Sequence, residues 1–132
     1  MISGGTATNG GNIRAYGSTS GTCTVNISHC AILDGSVIGD STIASSSRTY
    51  QGGNARFTYS NTQISNCYIL GGSCTSAGGY GGNLSVGSGL VNLFDSIIAN
   101  GSSPKGGNLY SAAVTTELST AKTNGSPTTA QT

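Results

Sequence analysis

The sequence has no tryptophan, two phenylalanines, two prolines and one histidine, and only nine of its 132 residues are charged. Five of those are basic and four acidic, for a formal net charge of +1. A balance so thin leaves no electrostatic footprint for nucleic acid or an anionic membrane. It also lacks the self-repulsion that keeps ordinary disordered chains open. Long apolar runs are missing too. The longest, Leu90 to Ala99, is interrupted by Asn92 and Asp95 and falls far short of the roughly 18–20 residues of a membrane span. No basic stretch followed by an apolar one opens the chain, so no signal peptide is visible. Either one has been removed or the sequence is a piece of a longer chain. Glycine is plentiful but follows no Gly-X-Y period, which excludes collagen.

Small polar residues fill the space. Gly, Ser, Thr and Asn occupy 71 of the 132 positions, and they are ordered. The tripeptide Gly-Gly-Asn occurs at Gly10–Asn12, Gly52–Asn54, Gly81–Asn83 and Gly106–Asn108, with starts 42, 29 and 25 residues apart. Residues 52–72 align without a gap on residues 81–101, and the first unit matches after an insertion of five residues. The repeat is about 25 residues long, and such a period marks stacked architectures.

The aligned columns alternate. Each Gly-Gly-Asn is followed by Ile13, Ala55, Leu84 or Leu109, then two residues later by Ala15, Phe57, Val86 or Ser111. A second block aligns Val25, Thr62, Val91 and Thr116, then Ile27, Ile64, Leu93 and Leu118; a third aligns Ile32, Ile69 and Ile98, closed by Gly35, Gly72 and Gly101. A period of two means short strands with one buried face. Only residues 112–122 hold any helical spacing, and they read better as a fourth, worn repeat. Strands this short gain stability by stacking in parallel register, about 4.8 Å apart. The expected fold is all-β: a right-handed parallel β-helix (β-solenoid) of about four coils with Gly-Gly-Asn corners. One domain is expected over residues 1–126, with coils starting near 10, 52, 81 and 106 and a tail at 127–132. Ile13, Phe57, Val86, Leu109, Ile32, Ile69 and Ile98 should point inward, with Ile27, Ile64, Leu93 and Leu118 as a core ladder. Asn12, Asn54, Asn83 and Asn108 should form a corner ladder, because Asn tolerates unusual backbone geometry and can bond the next Asn.

The Gly-Gly-Asn-apolar pattern, with a segment such as Ile64-Ser-Asn-Cys-Tyr-Ile-Leu-Gly-Gly, resembles the repeats of right-handed β-helix surface proteins. The nearest group is the polymorphic outer-membrane type, within the pectate-lyase-like fold. The resemblance covers residues 1–126 and implies an extracellular or cell-surface adhesive or passenger role, with no catalytic residues to carry over.

The residues that bear chemistry are few. Cys23, Cys30, Cys67 and Cys74 suggest an oxidising compartment. Cys30 and Cys67 share a column, where two readings stand: a disulfide between stacked neighbours, or two thiols filling an interior ladder. No Cys-x-x-Cys occurs and His29 is the only histidine, so no zinc site or other cofactor is expected. His29, Asn66 and Asp95 align as a polar stack beside Ser28 and Ser65, but nothing marks an oxyanion hole. Arg14 and Arg56 share an outward column, where like charges repel unless an anion lies between them. No two of Asp34, Asp40, Asp95 and Glu117 share a column, which leaves no carboxylate pair for polysaccharide cleavage.

The sequence therefore points to a non-enzymatic structural protein: a subunit or segment of an extracellular fibre, filament or adhesin assembled by coil stacking. The alternative is a polysaccharide-binding or polysaccharide-processing module. The expected partner is the chain itself, head to tail, or flanking coils of a longer parent. Residues 4–12 match 100–108 in style, and residues 124–127 resemble 100–104, so the chain stops near the phase at which it starts. No nucleic acid and no membrane span are expected.

Overall fold

The computed structural model describes residues 1–39, 50–76 and 78–112, with the backbone of Thr115–Ser119 and Lys122–Asn124. Asp40, the tail 127–132 and the side chains of Glu117 and Leu118 lie outside the described residues. Within them there are fourteen strands and no helix. Among the described residues no helix is long and apolar enough to cross a membrane.

Three parallel sheets share the strands. The longest contains β3 (Ile13–Tyr16), β4 (Cys23–Ser28), β7 (Ala55–Ser65), β10 (Leu84–Phe94), β12 (Leu109–Ser111) and β13 (Thr115–Ser119). Its order runs from β3 and β4 through β7 and β10 to β12 and β13. The second orders β1 (Ile2–Ser3), β5 (Ala31–Leu33), β8 (Tyr68–Leu70), β11 (Ile97–Ala99) and β14 (Lys122–Asn124). The third orders β2 (Thr6–Ala7), β6 (Ser36–Val37) and β9 (Ser73–Cys74). The chain leaves the long sheet, passes the second and third, and returns to the long sheet one strand further on; after β11 the third sheet is met only through the single Ser73–Ser102 bridge.

The register is the one the repeat predicts. Ile13 pairs with Ala55, Ala55 with Leu84 and Leu84 with Leu109. Ile27, Ile64, Leu93 and Leu118 are successive partners, as are Ile32, Ile69 and Ile98. The gapless alignment of the second and third units conceals one local exception. Ser88 pairs with Thr58 and Gly89 with Ser60, so Gly87 and Tyr59 are each left over. Two one-residue bulges on neighbouring strands cancel, and the register resumes. The five extra residues of the first unit fall at the same place, where Ser18 and Gly21 close a tight turn through an antiparallel bridge.

Alternation along the strands places the core between the sheets. Phe57, Ile64, Leu84, Val86, Val91, Leu93, Ile32, Ile69 and Ile98 are wholly buried in one cluster. Ile13, Ile27 and Leu109 pack against it only partly buried. Val37, Tyr50 and Cys74 form a second, smaller cluster.

Ile64 faces the core and its neighbour Gln63 faces solvent. Ile64→Asn should therefore cost at least the roughly 2–5 kcal/mol of a large-to-small core change, with an unpaired amide in addition. Gln63→Asn should stay within about 0.5 kcal/mol of the parent. Urea unfolding of the two variants checks the register directly.

Candidate functional site

The Gly-Gly-Asn motif is where the sequence is most constrained, and the structure shows three separate constraints. The first glycine has positive φ in every copy: 62° at Gly10, 69° at Gly52, 64° at Gly81 and 62° at Gly106. A Cβ there would run into the carbonyl of the residue three positions on, so neither Asn nor Asp could substitute. The second glycine lies against the next rung's backbone, with Gly11 N–H donating to the Gly53 carbonyl at 2.9 Å. The third residue, asparagine, has ordinary backbone geometry. Its expected tolerance of unusual φ is not used, because the glycine two positions earlier takes that conformation.

The asparagine side chain turns into the interior instead. Asn54 and Asn83 are fully buried. Each Nδ2 donates to the Oδ1 of the next asparagine: Asn12 to Asn54 at 2.8 Å, Asn54 to Asn83 at 2.7 Å, Asn83 to Asn108 at 2.9 Å. Its other proton goes to a main-chain carbonyl, of Leu33, Leu70 or Ala99. Each Oδ1 also accepts a main-chain N–H, from Gly5, Gly35, Gly72 or Gly101. Those four glycines form a column of their own. A Cβ on Gly35 would lie 2.8 Å from the Asn54 Oδ1 and from the Asn12 Nδ2. Asn54 and Asn83 thus satisfy all four hydrogen-bonding positions of the amide, and each bond points the same way along the stack.

The first rung is different. The Oδ1 of Asn12 accepts from Gly5 N–H, and among the described residues no asparagine amide donates to its second position. Its inward residues Ile13, Ala15, Val25 and Ile27 are only partly buried, whereas Ala55, Phe57 and Ile64 one rung on are at 0% exposure. An apolar end face, rimmed by the outer edges of β1 to β4, therefore surrounds an open amide acceptor.

His29, Asn66 and Asp95 do share a column, but what they share is backbone conformation. Their φ values are 52°, 53° and 45°, and all three are exposed. A second corner column repeats this, with Gly4, Asp34, Gly71 and Asn100 at 71°, 53°, 69° and 57°. Asn, Asp and His are the non-glycine residues most at home in the left-handed region. The expected polar stack is a row of corners, and its residue types answer to φ.

Cys30 and Cys67 are free thiols, as are Cys23 and Cys74. Of the two readings of that column, the stacked thiols are the arrangement seen here. Cys30 Sγ donates to the Ser28 carbonyl and Cys67 Sγ to that of Ser65, each at 3.1 Å. Ser96, next in the column, does the same to Phe94 at 2.7 Å and also accepts from Cys67 N–H. Burial pushes the Cys74 thiol up from its ordinary pKa.

No protein-family model, curated protein or solved structure matches the chain.

Asn83→Ala would leave Gly72 N–H and one Asn54 Nδ2 proton without an acceptor, and would take one of two bonds from the Ala99 carbonyl and from the Asn108 oxygen. At about 1–3 kcal/mol for each buried group left unpaired, the loss should reach several kcal/mol by urea titration. Asn83→Asp adds a pH signature. Burial beside two oxygens favours the protonated acid and raises its folded pKa above the unfolded value. Its neutral form is thus the tolerated one, and the variant's stability, relative to the parent, should fall as pH rises from 4 to 7. Alkylation of the native chain should reach Cys23 and Cys30, both part-exposed, well before the buried Cys67 and Cys74. Peptide mapping under non-reducing conditions would give that order, and a Cys30–Cys67 bridge formed under oxidation would remove both from it.

Proposed function

We propose that the chain is a right-handed parallel β-helix of about four coils whose role is structural. On this reading it is a subunit or segment of an extracellular or cell-surface fibre, filament or adhesin, built by setting coil upon coil. The repeated visiting order of three parallel sheets, kept after β11 by a single Ser73–Ser102 bridge, supports the helix. Its right hand follows from the handedness of nearly all (about 98%) crossovers between parallel strands in one sheet. Resemblance to the polymorphic outer-membrane-type repeats supports a cell-surface location, as does a composition dominated by small polar residues.

The observation that carries the reading is the end face at the first rung. It combines partly buried Ile13, Ala15, Val25 and Ile27 with unpaired strand edges and an Asn12 oxygen one bond short of its interior counterparts. Each deficit is met by one more rung of the same kind. Parallel strands and a one-way amide ladder are both polar, so the complementary surface is the opposite end of a second copy. Contacts of that type do not close on themselves, and they generate filaments. The other occupant, further coils of a longer parent chain, would meet the same deficits.

The isolated chain should therefore form elongated assemblies at tens of micromolar, seen by light scattering and electron microscopy. Ile27→Lys should reduce assembly sharply and retain the parent's circular dichroism, because its half-exposed position lets the ammonium reach water. A parent chain that stays a folded monomer at that concentration overturns self-assembly.

A further inference from the structure

Three basic side chains lie among the described residues, Arg14, Arg56 and Lys105, and all three stand on one flank. Two adjacent columns make it. Asn9, Gln51, Tyr80 and Lys105 are successive bridge partners, and Arg14, Arg56, Ser85 and Tyr110 are successive strand partners. The columns are stitched together side by side. Arg56 donates through Nη1 to Asn9 Oδ1, and Ser85 Oγ donates to Gln51 Oε1 at 3.1 Å. The Tyr80 and Tyr110 rings sit 4.4 Å apart, with the Lys105 ammonium 4.9 Å from the centre of the first. Arg14 rides over Tyr16 at 5.4 Å. The described acids Asp34 and Asp95 are on the other two corner columns, so the flank has no carboxylate among described residues.

Two arginines one rung apart without an acid between them is a costly arrangement. Burial, and then the nearby Arg14 charge, hold the Arg56 guanidinium below the usual arginine range. Its own Nε is buried with no partner, as is Thr58 Oγ1 two residues further along the strand. The site is built for a negative charge supplied from outside. Guanidinium forks, weakly hydrated and planar, pair well with oxyanions. The three oxygens of a sulfate monoester point in different directions and can meet two guanidiniums arriving from neighbouring rungs. The cations also extend too far for a lone ion. From the rung of Arg14 to that of Lys105 is about 14 Å at roughly 4.8 Å per strand, with tyrosine faces at the far end. Such rings carry an apolar body and a polar tip, which suits the C–H faces of sugars.

We propose that this flank binds a sulfated polysaccharide, one sulfate bridging Arg14 and Arg56 and the sugars continuing over Tyr80 and Tyr110 toward Lys105. The flank is on the side of the sheets, so the proposal is independent of end-to-end stacking. Titration calorimetry of the whole chain against heparin, the same polymer chemically desulfated, inorganic sulfate and single-stranded DNA tests it. Heparin should bind at least tenfold more tightly than each of the other three. Arg14→Gln, at an exposed position, should lose about tenfold with unchanged circular dichroism. Arg14→Gln combined with Lys105→Gln should abolish binding, and Tyr110→Ala should weaken it several-fold. Equal binding of the desulfated polymer, or an Arg14→Gln/Lys105→Gln protein that binds heparin like the parent, overturns the proposal. DNA binding as tight as heparin would show generic polyanion attraction and overturn it as well.

Discussion

A buried primary amide needs four hydrogen-bond partners, and Asn54 and Asn83 find theirs only if neighbouring rungs are in one register. That requirement governs the rest of the structure. Two partners are main-chain groups of the asparagine's own neighbourhood, and two are the amides above and below. A slip of one residue would remove the amide-to-amide bonds and the glycine N–H bonds together. Apolar columns alone do not impose this. Ile, Leu and Val substitute for one another along the interior ladders, and hydrophobic burial has no direction. The amide ladder supplies direction and register, and the apolar columns supply most of the driving force.

Glycine makes the ladder possible in two ways. Gly52 and its equivalents turn the chain sharply enough to aim the asparagine inward. Gly35 and its equivalents leave the room in which the amide lies. The other corners are less crowded, and they accept Asp34, Asn66, Asn100 or His29 in place of glycine. This division explains why one corner is invariant among the four repeats while the others vary within a small set of residue types.

Much of this was legible in the residues. The Gly-Gly-Asn starts, the inward positions from Ile13 to Ile98 and the parallel pairing follow from alignment and a period of two. The asparagine-to-asparagine bonds follow from one side chain being both donor and acceptor. Other features were hidden for physical reasons. The column of His29, Asn66 and Asp95 looks like chemistry because those side chains are reactive types, yet the same types are favoured by left-handed backbone. The bulges at Tyr59 and Gly87 cancel and so leave no gap to detect. The flank of Arg14, Arg56, Tyr80, Tyr110 and Lys105 mixes residue types within each column, so repetition does not reveal it. It emerges only when two columns are placed side by side. Cys30 and Cys67 align as a bridge would, but alignment does not set the direction of a thiol.

The claim that the amide ladder fixes the register is tested most directly by hydrogen exchange of asparagine side chains, followed by NMR. The Nδ2 protons of Asn54 and Asn83 should exchange only as the whole domain unfolds, with a protection that tracks the global unfolding free energy as urea is added. Those of exposed Asn26 and Asn61 should exchange freely. If Asn54 and Asn83 exchange as fast as Asn26 and Asn61, the ladder is not a structural element and this account of the fold is wrong.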